Sequence, residues 1–289
     1  SPRAGLATLV GPLSGRMAPM ARTATGAGPT IAPMYKSKFP SELDQPTLSE
    51  VDGVRYLHFN TEWVQGAMHI KNPADLVLEY TSQMMAWLLF LEPPKDEAIG
   101  MFGLGAGSLA RFCARHTRAP LLAVEWNPRV TAACHMFFRL PGENRLRVEH
   151  ADAAEWAADP LNAGRCPVLM VDLYDASAQG PVRDSVKFYR DCRRVLGEVG
   201  VLAVNLFGRH ESFGKNIDNL SKAFDDRVVL LPEIDAGNQI VLAFSGPRLA
   251  VTPAELLARA EAVESRYGLP ARRWARSLTR HAVDGILHF

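Results

Sequence analysis

Apolar and polar positions in this chain follow two rhythms. From Val51 onward the first is strand-like. Val54–Phe59 and Trp63–Ile70 flank the polar stretch Asn60-Thr-Glu62 and predict a β-hairpin. After Asn72-Pro73 the spacing lengthens to three and four residues at Leu76, Tyr80, Met84, Trp87, Leu88 and Leu91. That pattern predicts a helix over 74–91, stopped by Pro93-Pro94. Short apolar runs then alternate with helical patterns. Strands are expected at 98–102, 121–125, 146–149, 168–172 and 201–205. Helices are expected from Ser108, which can act as a cap, from Pro128, a good first-turn residue, and over 185–196. Strands separated by helices imply right-handed crossovers and a parallel sheet covered on both faces. Two further strands, 227–231 and 239–244, are separated only by Pro232–Asn238. Such a connection is too short for a crossover helix, so the last strand should run antiparallel to its neighbour.

These elements describe an α/β fold with a seven-stranded Rossmann sheet of the S-adenosylmethionine-methyltransferase type, its last strand antiparallel, preceded by a small β-hairpin module. A dinucleotide-binding domain would continue in parallel. The chain divides into a tail (1–46), the hairpin module and connecting helix (47–92), a nucleoside-binding domain (93–250) and a helical extension (251–289). The extension holds a helix over 253–266 and a basic, Trp-containing tail.

Composition narrows the function. Residues 1–41 contain no Asp or Glu and are rich in Ala, Gly, Pro and Thr. They read as disordered. A transit peptide, or sequence lying upstream of a start at Met17, Met20 or Met34, also fits. The 289 residues carry a net charge of +1, which argues against a polyanion-binding surface, so no nucleic-acid partner is expected. No apolar run approaches the ~18 residues of a membrane span. Cys113, Cys134, Cys166 and Cys192 are widely spaced and suit buried, reduced thiols in the cytoplasm. The histidines lack metal-ligand spacing, and no GxSxG elbow or P-loop ending is present. Arg272-Arg-Trp-Ala-Arg276 reads as a solvated helix surface or a basic docking face.

The chemistry gathers at the strand ends. Gly103-Leu-Gly-Ala-Gly107 leaves the first parallel strand and enters a helix, and Gly103, Gly105 and Gly107 let backbone approach a ligand closely. Glu125 ends the next strand, where a carboxylate can accept from both ribose hydroxyls. Asp152-Ala153 follows the third, placed to read an adenine amino group, and Trp126 can pack on the base or in the core. Asp172 ends the fourth strand. Each acid taken alone also suits a loop or helix cap. Together, with a hairpin strand and no GxGxxG spacing, they favour an S-adenosyl nucleoside over NAD.

The order Gly103-x-Gly-x-Gly107, Val124-Glu125, Asp152-Ala153 and Val171-Asp-Leu-Tyr-Asp175, behind a β-hairpin, resembles the polyamine aminopropyltransferases, with spermidine synthase as type member. The resemblance spans about residues 50–245. It implies transfer of an aminopropyl group from decarboxylated S-adenosylmethionine to a small-molecule amine, leaving methylthioadenosine, without a metal and in a homodimer. It makes Asp172 the acid that orients and deprotonates the amine and Asp175 its helper. Tyr174 lies beside them, and Tyr80 suits either an aromatic wall or core packing of its helix. His69 stands where the family tends to place a glutamine against the nucleoside, with Gln65 a nearby alternative. Three departures touch the amine side. Ala106 replaces an acid expected to hold the donor's ammonium, Thr81-Ser82 replaces a Tyr-His pair, and Ala176 replaces a proline. Methyl transfer from intact S-adenosylmethionine, or a silent nucleoside-binding protein, are the competing readings.

Overall fold

Asp52-Gly53 is the kind of two-residue turn that closes tight hairpins, and both residues have positive φ, 50° and 77°. The turn joins β1 (Thr47–Val51) to β2 (Val54–His58), and β2 pairs in turn with β3 (Gly66–His69). In this computed structural model, which describes residues 45–174, 183–234 and 237–289, the N-terminal unit is therefore a three-stranded antiparallel meander. The expected two-stranded hairpin missed β1 because Thr47–Val51 mixes polar and apolar residues and buries none fully. Nearly all of the expected tail, 1–46, lies outside the described residues.

The helix expected over 74–91 is shorter. Only Glu79–Met84 is α-helical (α1), and the chain tightens into a 3₁₀ helix over Met85–Leu89. All five residues of that 3₁₀ segment are buried. A segment enclosed on every side has no polar face to set a period, so spacing alone could not distinguish it from an amphipathic helix.

The parallel strands follow: β4 (Ile99–Phe102), α2 (Ser108–His116), β5 (Leu121–Val124), α3 (Pro128–Phe137), β6 (Leu146–Glu149), α4 (Ala153–Ala158), β7 (Val168–Val171), α5 (Val186–Leu196) and β8 (Gly200–Phe207). Pro128 opens α3 as expected, with the Asn127 side chain accepting from the Arg129 amide. Ser108 does not cap α2. Gly107 occupies that position, and the Ser108 hydroxyl donates instead to the Ala67 carbonyl of β3. A helix over Phe213–Phe224 (α6), to which the sequence pattern assigned no element, leads to β9 (Val228–Leu230) and β10 (Asn238–Ser245). The order across the sheet is β6-β5-β4-β7-β8-β10-β9, with β10 antiparallel to both neighbours. The short 232–238 connection thus returns the last strand between β8 and β9.

Alternate residues of each strand feed two cores, as a pleated sheet covered on both faces requires. Phe102, Leu122, Leu169 and Leu202 pack with α4, α5 and α6, while Met101, Ala123, Met170 and Ala203 pack on the opposite side. That second core includes the C-terminal segment. After β11 (Ala250–Val251) come α7 (Pro253–Tyr267), a further helix α8 (Ala271–Thr279) and β12 (Leu287–His288), which pairs back on β11. Trp274 is buried, and Phe289 sits edge-on to Phe90 with ring centroids 4.8 Å apart. The basic run is therefore one side of α8, with Arg272 paired to Glu264 and Arg273 to Glu79.

The meander meets the sheet at one tight point. A Cβ added to Gly66 of β3 would lie 2.6 Å from the Ala106 Cβ and 2.7 Å from its amide nitrogen. Gly66→Ala is therefore expected to destabilise the fold by about 1–3 kcal/mol through overpacking against backbone that cannot move aside. Urea denaturation measures the change. An unchanged midpoint would show that the two layers can slide apart.

Candidate active site

A cavity of about 760 Å³ opens at the carboxyl ends of β4, β5, β7 and β8, roofed by the β2–β3 connection. This is where an open α/β sheet leaves room for a ligand, because the crossovers diverge there. Gly103, Gly105, Glu125, Trp126, Asp152 and Ala153 line one half. Glycine is required at position 103, which has φ 87° and where a Cβ would fall 2.3 Å from the Asp172 carbonyl oxygen. Gly107, with φ 72°, ends the loop as the residue preceding α2 and is not among the lining residues.

Glu125 is 8% exposed. Its Oε2 accepts from the Leu104 amide at 2.9 Å and its Oε1 from the Asn127 amide at 2.9 Å. Burial pushes its carboxyl up, and these amides with that of Trp126 pull the other way. A carboxylate has about four lone-pair sites, so the three amides leave acceptor capacity for a ligand hydroxyl. Asp152 caps α4, accepting from the Ala154 amide at 2.8 Å. It also forms a two-pronged ion pair with Arg183. Burial alone would raise its carboxyl, but Arg183 and the helix amides hold it below its ordinary value. The cap that each acid could have been is realised at Asp152, on the cavity wall.

Asp172 lines the floor at the end of β7. Its Oδ1 accepts from Asn205 Nδ2 at 2.9 Å and its Oδ2 from the Tyr80 hydroxyl at 3.1 Å. Burial raises its pKa, and the two hydrogen bonds moderate the rise. Asn205 is 2% exposed and accepts in turn from Asn238 Nδ2 at 3.0 Å. The Tyr174 hydroxyl donates to the Asn205 backbone carbonyl at 3.1 Å. Tyr80 and Tyr174 both have phenols pushed up by burial and by the nearby Asp172 carboxylate, so they stay protonated and serve as donors.

Most of the expected site residues are brought together. Gln65 lines the cavity, whereas His69, at the far end of β3, does not. Trp126 stands on the rim at 47% exposure, a position for packing on a base and not in the core. Asp175 and Ala176 lie outside the described residues. Ala106 is buried beneath Gly66 and is not a lining residue. Sequence reasoning missed Arg183, Asn205 and Asn238. A signal existed for Asn205, a lone amide inside the apolar strand Gly200–Phe207. Arg183 carried none, since its pairing with Asp152 spans distant segments. Among the described residues, no group of His, Cys, Asp or Glu side chains could hold a metal ion, and no helix is long and apolar enough to cross a membrane.

No family model matches the chain. Curated relatives do. A polyamine aminopropyltransferase of Chromobacterium violaceum is 35% identical over 230 residues, covering 78% of this chain and 86% of the relative. Another, of Neisseria meningitidis serogroup A, is 31% identical over 258 residues, covering 88% and 95%. Among solved structures, a probable spermidine synthase of Corynebacterium glutamicum superposes with TM-score 0.63 at 17% identity, covering 88% of this chain and 95% of that one. A spermidine synthase in complex with the transition-state analogue AdoDATO gives TM-score 0.56 at 20% identity, covering 71% and 72%. These two likenesses show the fold.

The raised Asp172 pKa fixes the sign of a stability effect. Its contribution to folding is full below the ordinary carboxylate pKa and is lost as pH rises through the higher folded value. Asp172→Asn, with no charge to bury, is expected to match or exceed the parent's melting temperature at pH 7. That advantage should vanish below about pH 4, where both side chains are neutral. Thermal unfolding of the two proteins across pH reads this out, and a lower melting temperature for the variant at pH 7 is the contrary result.

Proposed function

The chain belongs to the polyamine aminopropyltransferase family, and from that premise we propose that it moves the aminopropyl group of decarboxylated S-adenosylmethionine onto a small amine, with Asp172 as the base. The observation that carries the assignment is the Asp172 carboxylate: a half-buried acid of raised basicity, fixed by Tyr80 and Asn205, on the floor of a cavity whose other half suits a nucleoside. An ammonium has no lone pair with which to attack. Asp172 binds the cationic amine and takes its proton as the neutral nitrogen attacks the carbon attached to sulfur. The new C–N bond forms as the C–S bond breaks, and its electron pair neutralises the sulfonium to leave methylthioadenosine. Holding nucleophile and sulfonium carbon in line supplies much of the acceleration. No metal is needed for this chemistry.

The remaining roles follow from placement. Glu125 accepts from a ribose hydroxyl through the acceptor capacity its amides leave free. Asp152, with Ala153 beside it, reads the adenine edge, which requires the base to share that carboxylate with Arg183. Gln65 and Trp126 close over the nucleoside, and Tyr80 and Tyr174 border the amine. Four buried, unpaired cysteines suit the reducing cytoplasm, and the family resemblance supports a homodimer.

One observation favours a second reading. Ala106 supplies no acid for the donor's ammonium, which removes a group that would repel the carboxylate of intact S-adenosylmethionine. Product identity separates the two: methylthioadenosine for aminopropyl transfer, S-adenosylhomocysteine for methyl transfer. Calorimetry is expected to rank decarboxylated S-adenosylmethionine above the intact form, and the reverse order would overturn the aminopropyl reading. In assays with a panel of diamines, Asp172→Asn is expected to lower turnover about 10²–10⁴-fold. Unchanged turnover would remove Asp172 as the base.

A further inference from the structure

A second cavity, a solvent-open depression of about 580 Å³, lies behind the glycine loop and shares no lining residue with the first. It is walled by the 71–75 segment after β3, by one face of α2, and by Arg139 and Pro141 after α3. Lys71, Arg111, Arg115 and Arg139 line it against a single acid, Asp75. Arg111 and Arg115 stand one turn apart on α2, where like charges repel. Arg139 is held at φ 46°, a left-handed conformation unfavourable to a long side chain. The side chains of Lys71, Arg115 and Arg139 make no ion pair or hydrogen bond among the described residues.

Arg111 sharpens the imbalance. It is 4% exposed and donates to the carbonyls of Pro73 at 2.6 Å, Phe138 at 2.8 Å, Ala67 at 3.4 Å and Ala106. Its side-chain acceptor, the Ser108 hydroxyl at 3.5 Å, is neutral as well. Burial lowers its pKa to about 10. A buried charge normally has a counter-charge, and among the described residues no carboxylate pairs with it. Its hydrogen-bonding capacity is spent inside the protein, so what it offers the cavity is field. Arg115, Arg139 and Lys71 offer free donors.

We propose that this cavity binds a small phosphate-bearing anion. Planar arginine forks match the paired oxygens of a phosphate, and its negative charge, about −1.5 near pH 7, relieves the repulsion among the cations. A polyamine substrate or product would be repelled, so the site is distinct in chemistry as well as in place from the nucleoside cavity. Arg111 links the two, because the carbonyl it holds at Ala106 belongs to the glycine loop and the one at Pro73 belongs to the wall of the anion site. The binding proposal does not depend on which group the enzyme transfers.

Calorimetry and thermal shift of the full chain with inorganic phosphate, at ionic strength held constant with chloride, test the proposal. Saturable binding and a rise in melting temperature beyond the chloride control are expected. The double variant Arg115→Gln/Arg139→Gln should weaken phosphate binding at least tenfold, on the order of the loss from removing one charged donor. Its methylthioadenosine affinity in phosphate-free buffer should match the parent's, which certifies the fold. A phosphate monoester, glycerol 3-phosphate, distinguishes the natural ligand class: tighter than phosphate assigns an ester, weaker assigns the free ion. No saturable phosphate binding, or equal binding by the double variant, overturns the site.

Discussion

The Asp172 carbonyl passes so close to Gly103 that any side chain at 103 would collide with it, and the floor of the cavity is organised around this contact. It follows from the sheet. β4 and β7 pair in parallel with Phe102 opposite Val171, so the residues leaving the two strands emerge side by side. With glycine at 103 the β4 chain can turn at positive φ toward α2 without pushing β7 away. The glycine loop and the Asp172 carboxylate therefore share one floor. Neighbouring strands add to it in spatial order, Glu125 from β5 on one side and Asn205 from β8 on the other.

The acids on that floor differ by their partners more than by their burial. Glu125 and Asp172 are both pushed up by loss of solvent, yet Glu125 is held by backbone amides and Asp172 by a phenol and a side-chain amide. Backbone amides are fixed donors, which suits an acceptor that stays in one charge state while it orients a sugar. Hydroxyl and amide side chains can turn as a proton arrives, which suits a base. Asp152 moves in the opposite direction, because Arg183 adds a positive charge to its helix cap. Three carboxylates in one cavity thus acquire three chemical characters from their neighbours.

Much of this was legible in the sequence. The seven strands were read from short apolar runs, and the antiparallel last strand from a connection too short to hold a helix. The strand-end positions of Glu125, Asp152 and Asp172 foretold that they line one cavity, since the carboxyl ends of a parallel sheet open to the same side. Where period was the only guide, the reading failed. The segment 85–89 is buried all round and so imitates an amphipathic helix, and β1 has too little apolar content to register. Asp52-Gly53 held the missing turn signal. His69 and Gln65 show the same limit in the site: both belong to one extended stretch, but only packing against the glycine loop decides that Gln65 reaches the cavity.

Local sequence determined the elements, their order and the acids at their ends, because propensity, turn chemistry and hydrophobic period act over a few residues. Tertiary structure decided the rest. The Asp152–Arg183 pair, the Asp172–Asn205–Asn238 chain and the cluster of cations around Arg111 each join segments that are distant along the chain. Ala106 was read as a lost acid, and folding gives it a second meaning as the small residue on which Gly66 rests. A residue's type states which bonds it is able to make, and only the three-dimensional packing determines which partners come within reach and how much water remains between them.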